Sequence, residues 1–597
     1  VSGPRTRGGG PTDERDFQGL DWDLLKRIAE YARPHWRVLA VSLSILPVTA
    51  GLQLVQPWLI KNAIDGPIAE GEIGGLLPIA LVLFAVLMGN YTLQFIGSYA
   101  SQLGGQGIVH DLRVGVHGHL LTLHNRYFQR NPAGRLLTRC TNDVEGIGEM
   151  FAAGFLTLFG DLVLLVGICG ALLLLDWKLA LVTFAALPVL VGVSQWFQTA
   201  LRDTYRELRR RMSELNSYLQ ERISGIRIIQ LFARETRSYD DFVAHNEELM
   251  SENFRSIRLD AMLFAFVDAM AHLMAALLIA WAARPIVEDA LTFGTLVAFL
   301  DYVSRFFQPI RDLSSKVATL QAGLASSERV FALLDETDRI LGPEGGGNDV
   351  DVVGAVSFER VHFSYVPEEL VLRGLDLDVK AGEKVALLGV TGAGKTTALR
   401  LLGRVYDPDR GRVMLDGVPV SEWSVQRLRR SVGVVLQDVF LFMGSVRDNI
   451  TLGDESIDDD KVWASLEQVG AADLVRRIGG LDADLSERGG NLSAGERQLL
   501  AFARVMAYDP AILLLDEATS NIDSFAEARI QEAIATAMVG RTTLVVAHRL
   551  STIQQVDRVA VLHQGQLAEI GTHRELLAAG GLYRRLYETY FAAGEVA

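Results

Sequence analysis

Apolar residues run almost unbroken through much of the first half of the chain, and the polar residues there are gathered into two long charged stretches. A helix that crosses a bilayer needs roughly 20 predominantly apolar residues. Six stretches meet that need, at about 37–60, 75–98, 151–175, 179–200, 261–283 and 291–312. Six buried helices of a large soluble domain are the competing reading. Runs such as "FGDLVLLVGICGALLLL", apolar on every face, favour the membrane. The polar stretch near 100–150 holds Arg113, Arg126, Arg130, Arg135 and Arg139, and the stretch near 201–258 is richer still. Positive charge stays on the cytoplasmic side, which puts both stretches and both termini there, although loop length weakens that vote. Both read as helical continuations of the spans. They are interrupted at Pro132–Gly134 and at Gly225, where the chain is expected to reverse.

After Glu336 the pattern changes. "TDRILGPEGGGNDVDV" has the glycine, proline and aspartate content of a linker. Beyond it, short apolar runs ("KVALLG", "AILLLD", "TTLVVAH", "VAVLH") alternate with helical stretches. That alternation predicts an α/β sheet covered on both faces. The expected division is a flexible tail at 1–20, a six-helix all-α transmembrane domain at 21–330, a linker at 331–353 and an α/β nucleotide-binding domain at 354–597. The tail has no apolar core of the signal-peptide kind.

Composition adds exclusions. A chain of 597 residues is too long for one ordinary domain. A net charge of −15 argues against nucleic acid as a partner. A mean hydropathy of +0.21 with 22% charged residues requires the apolar residues to be segregated. Cys140 and Cys169 have neither metal-ligand nor disulfide spacing and read as packing residues.

"GVTGAGKTT" at 389–397 fills the G-x-x-x-x-G-K-[ST] pattern between a strand and a helix. Its glycines let backbone amides wrap phosphate oxygens. The stretch Thr391, Gly392, Ala393, Gly394, Lys395, Thr396 and Thr397 would hold the nucleotide, with Lys395 on the β/γ-phosphates and the Thr396 hydroxyl on Mg²⁺. Asp516 and Glu517 end an apolar strand, where acids face a ligand at the sheet's carboxyl edge. Asp516 would orient the Mg²⁺ shell and Glu517 would polarise the attacking water. Three single residues are weaker alone. Tyr365 would stack on adenine or pack as a strand aromatic; Gln437 would sense Mg²⁺ or water, or simply sit in a turn; His548 would reach the γ-phosphate or be structural. "NLSAGERQ" opens a helix with Ser493 and Glu496 spaced as a capping box, and such a start is also an anion site. In the spans, Asp268 with His272 and Asp301 with Arg305 stand one turn apart, either lining a substrate cavity or neutralising one another on one helix.

Taken in order, these motifs resemble those of ATP-binding cassette (ABC) transporters, specifically exporters that fuse six membrane helices to one RecA-like, P-loop nucleotide-binding domain. The resemblance covers nearly the whole chain after the tail. It implies that Tyr365 stacks on adenine, that "GVTGAGKTT" is the Walker A loop and "LLLDE" the Walker B strand, and that Gln437 and His548 are the Q-loop and switch residues. It makes "SNID", with Asp523, the D-loop, and "LSAGE" (Ser493, Ala494, Gly495, Glu496) the signature. "ERG" at 487–489 and "NPAGRLLTRCTNDV" look like segments that couple the two domains. In the family two cassettes close head to tail, so the signature faces ATP held by a second half-transporter chain. ATP and Mg²⁺ are the implied cofactors. Gln437 joins Thr396 and Asp516 around the metal, and Glu517, His548 and Gln437 form the catalytic set.

The signature departs from the usual LSGGQ at Ala494 and Glu496. A carboxylate roughly 6 Å from a phosphate, at an effective dielectric of 20, would repel it by about 3 kcal/mol before screening. The alternative is that Glu496 only completes the capping box. The repulsive reading, beside an intact catalytic half, resembles one subunit of the heterodimeric bacterial multidrug exporters akin to the antigen-peptide transporter. It implies a non-identical partner with a degraded Walker B. The expected activity is ATP-driven export of amphipathic drugs, peptides or lipids across the cytoplasmic membrane, with the bilayer as a further partner. A homodimeric lipid flippase of the same fold is the alternative. A soluble ATPase would lack the spans, and an importer would normally keep membrane and ATPase chains separate.

Overall fold

The computed structural model describes residues 22–185, 187–288, 291–340, 342, 351–516, 524–547 and 549–590. They form two compact units. One holds the described residues of 22–121 and 133–336, and the other 122–132 with the described residues from 337 onward. Residues 122–132 thus belong by sequence to the cytoplasmic stretch of the expected transmembrane domain but pack with the second unit.

The first unit is built of long helices. Ile73–Leu120 has 48 residues and Glu235–Val287 has 53. At about 1.5 Å per residue these are more than twice as long as a hydrocarbon core is thick. Each therefore has an apolar half long enough to span and a polar half that continues beyond it. Four helical segments among the described residues are long and apolar enough to cross a membrane: Trp22–Ile68, Ile73–Leu120, Ala133–Leu175 and Glu235–Val287. They contain four of the six expected stretches. The stretch at 179–200 falls across Trp177–Ala185 and Leu187–Ser224. The one at 291–312 lies largely in Phe293–Leu334, where Asp301 and Arg305 interrupt the apolar run.

Glu235–Val287 folds back along Leu187–Ser224. The Tyr205 hydroxyl bonds Asp260 at 2.9 Å, and the Tyr218 hydroxyl donates to the Ser238 carbonyl at 2.7 Å. The helix breaks at Gly225 as expected, and the reversal follows at Phe232–Arg234, where Ala233 takes a φ of 49°. The other expected break also occurs, between helices Asn125–Arg130 and Ala133–Thr138. An apolar cluster that includes Leu172, Leu179, Met274, Leu278, Phe299 and Phe306 joins the helices. Ion pairs reinforce it: Lys316 with Asp161, and Arg329 with Asp143 at 2.6 Å. Asp65 accepts the Gly294 amide at 2.7 Å, capping the start of Phe293–Leu334.

The second unit holds a six-stranded sheet. Its order is Gln566–Gly571, Arg558–His563, Lys384–Leu388, Thr542–Val546, Ile512–Asp516 and Val432–Val435, parallel except for the first strand. Alternate residues of one strand enter opposite cores, because side chains alternate between faces. Leu513 and Leu515 join Phe502, Leu499 and Ile534, whereas Ile512 and Leu514 join Phe358, Leu401 and Tyr406. Both faces are covered, as the apolar runs predicted. A four-stranded antiparallel sheet that includes Val356–Ser364 and Leu370–Val379 supplies part of the second cover.

Candidate functional site

In-register parallel pairing brings the ends of the central strands together. Leu387 pairs with Val546, Val546 with Asp516, and Leu515 with Val435. The loop 389–394, Asp516 and the segment carrying Gln437 therefore leave the sheet at the same carboxyl edge, where open α/β sheets bind ligands.

The loop needs its glycines. Gly389 has a φ of 153°, and a Cβ there would run into the Leu562 carbonyl. Gly394 caps helix Lys395–Leu402 at a φ of 99°. Lys395 is buried and its ammonium donates to the carbonyls of Gly389 at 2.7 Å and Val390 at 3.2 Å. Burial pulls its pKa below the ordinary lysine value, and the Asp516 carboxylate partly offsets this. The Thr396 hydroxyl donates to Asp516 at 3.0 Å across the sheet edge. Thr391 and Gly392 are exposed on the loop and Ala393 is buried beneath it. Paired hydroxyl and carboxylate oxygens suit Mg²⁺, which binds through few protein ligands together with substrate phosphates. Among the described residues no three His, Cys, Asp or Glu side chains converge as an all-protein metal cage.

Tyr365 is half-buried at the end of strand Val356–Ser364. Its hydroxyl lies 3.2 Å from Thr397 Oγ1 and accepts from Arg400 at 3.2 Å. Its ring meets Tyr406 edge-on at 5.3 Å and Phe363 at 4.9 Å. Gln437 is exposed two residues beyond Val435. Glu517, Asp523 and His548 lie outside the described residues.

Ser493 caps helix Ala494–Tyr508 in the capping box that its spacing with Glu496 predicts. Ser493 and Ala494 are exposed, whereas Gly495 is buried. The geometry gives Glu496 the capping-box role that was the alternative to repulsion. Its carboxylate folds back to accept the Ser493 amide at 2.8 Å and pairs with Arg477. Burial raises its pKa, but the Ser493 amide and Arg477 outweigh this and hold it below the usual glutamate value. The charge is satisfied within its own cassette. "ERG" forms a tight turn with Arg488 at a φ of 54°.

In the first unit, Arg305 reaches Asp301 at 3.2 Å, Gln56 at 2.9 Å and the Gln53 carbonyl at 3.4 Å. Asp301 and Arg305 thus neutralise one another and tie their helix to Trp36–Ala63. Asp268 and His272 are exposed on Glu235–Val287, turned from its buried residues Val267, Met274 and Leu278. The His272 ring lies 2.8 Å from the Asp268 carbonyl.

Several residues around the site escape sequence reasoning. Arg504 donates to the carbonyls of Asn449 at 2.7 Å and Phe440 at 3.2 Å, linking the capped helix to the segment after Gln437. Arg400, Arg477 and Tyr406 are others. "RVYDPDRG" offered an aromatic just beyond the phosphate-loop helix, but no pattern says which ring it meets.

Two family descriptions match the chain: "ABC transporter transmembrane region" over residues 39–310 and "ABC transporter" over 372–520. The "Probable multidrug resistance ABC transporter ATP-binding/permease protein YheH" of Bacillus subtilis (strain 168) is 35% identical over 530 residues, covering 87% of this chain and 77% of that protein. The "ATP-dependent lipid A-core flippase" of Syntrophus aciditrophicus (strain SB) is 31% identical over 586 residues, 98% of this chain and 97% of that one. A solved structure, "Structure of a bacterial Atm1-family ABC exporter with ATP bound", superposes with a TM-score of 0.75 at 26% identity, over 95% of this chain and 99% of that one.

Proposed function

Since this chain belongs to the ABC transporter family, joining a membrane region to an ATPase domain coupled to transport, we propose that it is an exporter-type half-transporter that moves amphipathic molecules out of the cytoplasm. The observation that carries the reading is the Thr396–Asp516 pair beside a glycine-wrapped phosphate loop, on a chain that also carries membrane-length helices. In this reading the chain crosses the inner membrane six times, with both termini and the ATPase domain in the cytoplasm.

Thr391 to Thr397 receive the phosphates, and Lys395 exchanges its two loop carbonyls for phosphate oxygens. Thr396, Asp516 and Gln437 would hold Mg²⁺, which would supply charge neutralisation for the phosphates. Glu517 orients the water, His548 meets the γ-phosphate and Asp523 lies at the cassette interface. A second half-transporter presents its own capped helix to this ATP, while the exposed Ser493 and Ala494 face the partner's. Catalysis of this kind rests on positioning and charge stabilisation.

Two narrower readings concern the partner and the cargo. A non-identical partner with a degraded Walker B now rests on Ala494 alone, because Glu496 is engaged within its own helix start and by Arg477. A homodimer is supported by the near full-length match to a protein named a lipid A-core flippase, which also favours lipid as cargo. A multidrug cargo is supported by the match to the YheH protein. Asp268 and His272, exposed on an apolar helix, are the residues of this chain best placed to meet a polar group of the cargo. The test is reconstitution of the single purified chain in proteoliposomes. ATP-dependent flipping of a fluorescent phospholipid by a dimer with two equally active sites supports the homodimer and excludes the unequal pair. Activity only after addition of a second half-transporter chain does the reverse. Failure to move lipid, dye or peptide with any partner overturns the exporter reading.

A further inference from the structure

Residues 122–132 interrupt the helices of the first unit, yet they pack with 337–597. The segment is pinned to the strand-like piece after Glu336. Leu123 pairs with Arg339 as an isolated antiparallel bridge, and the His124 amide donates to the Asp338 carbonyl at 2.8 Å. His124 then caps the short helix Asn125–Arg130, its Nδ1 accepting the Arg126 amide at 3.0 Å. That bond fixes the imidazole, which meets the Tyr406 ring edge-on at 4.9 Å. The Asn125 side-chain amide donates to the Tyr406 hydroxyl at 3.1 Å.

Tyr406 is only 1% exposed and touches both sides of this arrangement. Its ring lies edge-on to Tyr365 at 5.3 Å and tilted to Phe363 at 5.4 Å. The Tyr365 hydroxyl is in turn held by Arg400 and lies within hydrogen-bond distance of Thr397 on the phosphate-loop helix. An unbroken line of contacts therefore runs from Asn125, through Tyr406, to Tyr365 and the helix that begins at Lys395. Close-packed interiors pass displacement on, because side chains there have no free volume in which to absorb it.

We infer that Tyr406 is a positioning residue that makes the ring surface Tyr365 offers to a purine base depend on the docking of residues 122–132. The inference rests on the reading of Tyr365 as the base-stacking residue. When Asn125 and His124 are seated, Tyr406 is held from its hydroxyl end and Tyr365 is wedged against Phe363, Thr397 and Arg400. When they withdraw, Tyr406 loses its outer restraint and the Tyr365 ring gains freedom that base binding must then remove. The dependence runs both ways, because a coupling free energy between two sites is reciprocal. A bound base that fixes Tyr365 therefore favours the seated segment. Grip on the triphosphate rests mainly on the loop 389–394 with Lys395 and Thr396, and this line of contacts meets that helix only farther along, at Thr397 and Arg400.

The test uses the full-length chain in nanodiscs, with two probes: ATP, and tripolyphosphate, which lacks a base. Asn125→Ala removes the hydrogen bond to Tyr406 and is expected to raise KM for ATP about threefold. It should leave inhibition by tripolyphosphate unchanged. Tyr406→Phe keeps the ring and should match Asn125→Ala, and the double variant should be no worse than either single one. Tyr406→Ala, which also removes the edge contact, should weaken ATP about fivefold or more. Equal losses for ATP and tripolyphosphate would mean general loosening of the fold and would overturn the proposal. So would additive effects of Asn125→Ala and Tyr406→Phe, or an unchanged KM in Asn125→Ala. Tyr365→Ala separates the two levels. If it leaves KM for ATP untouched, the base-stacking reading itself fails. If it weakens ATP while Asn125→Ala does not, only the positioning role of Tyr406 fails.

Discussion

The Ser493 amide donates to the Glu496 carboxylate at 2.8 Å, and the Glu496 amide donates back to the Ser493 hydroxyl at 3.3 Å. With Arg477 on its other side, the carboxylate that looked like a defect in the signature works as a helix cap. Glu496→Gln keeps an acceptor for the Ser493 amide. ATPase activity is therefore expected to stay within about twofold, since an exposed ion pair such as that with Arg477 is worth little. Glu496→Ala removes half of the box and should cost about 1 kcal/mol, read as a lower Tm. The glutamate's pKa is depressed in the fold. Its stabilising contribution is therefore complete above the unfolded value and is lost as pH falls through the lowered folded one. Glu496→Ala should lose that acid sensitivity.

Thr396 and Asp516 share one hydrogen bond at 3.0 Å, and in the proposed mechanism they share one Mg²⁺. Thr396→Ala should raise the Mg²⁺ concentration needed for half-maximal ATPase about tenfold, the range expected when a polar partner of a charged ligand is deleted. Asp516→Asn should remove most turnover while ATP still binds. Magnesium titration of ATPase alongside fluorescent-nucleotide binding separates these outcomes. Equal Mg²⁺ dependence in wild type and Thr396→Ala would remove the hydroxyl from the metal site.

His124 is buried, and that burial lowers its pKa below the ordinary histidine value. Asp338 and Asp407 pull it up, whereas Arg126 and Arg429 push it down. The free imidazole binds a proton more readily than the docked one. Docking of residues 122–132 is therefore complete above the unfolded value of about 6.5 and weakens as pH falls below it toward the lowered folded value. Hydrogen exchange across Asn125–Arg130 should quicken between pH 7.5 and 5.5. His124→Gln, which cannot titrate, should show no such step.

The phosphate loop was legible because its chemistry requires fixed spacing, and the strands because burial on both faces leaves continuous apolar runs. The capping box was legible too, but Arg477, a surface residue 19 positions before Glu496, gave no periodic hint of the pairing. Asn125 and Tyr406 are 281 positions apart, and a contact at that separation leaves no trace in local pattern. The resemblance put the domain-coupling segment at 131–144, whereas the residues that pack with the cassette are 122–132, almost all of them before it. In Phe293–Leu334 the charges that break the hydropathy pattern are the same ones that bind it to its neighbours: Arg305 to Gln56 and Lys316 to Asp161. A pattern of apolar residues alone undervalues such a helix.

In the proposed mechanism this chain hydrolyses ATP at a site built from its own phosphate loop and Glu517, closed by the capped helix of a second chain. The most direct measurement is Mg²⁺–ATP turnover and nucleotide retention in Glu517→Gln, purified with its second half-transporter chain in nanodiscs. The account predicts turnover reduced at least about a hundredfold, the scale on which removal of a general base acts. It also predicts that unhydrolysed ATP is retained in a closed dimer. Turnover equal to wild type, with no ATP retained, would contradict it.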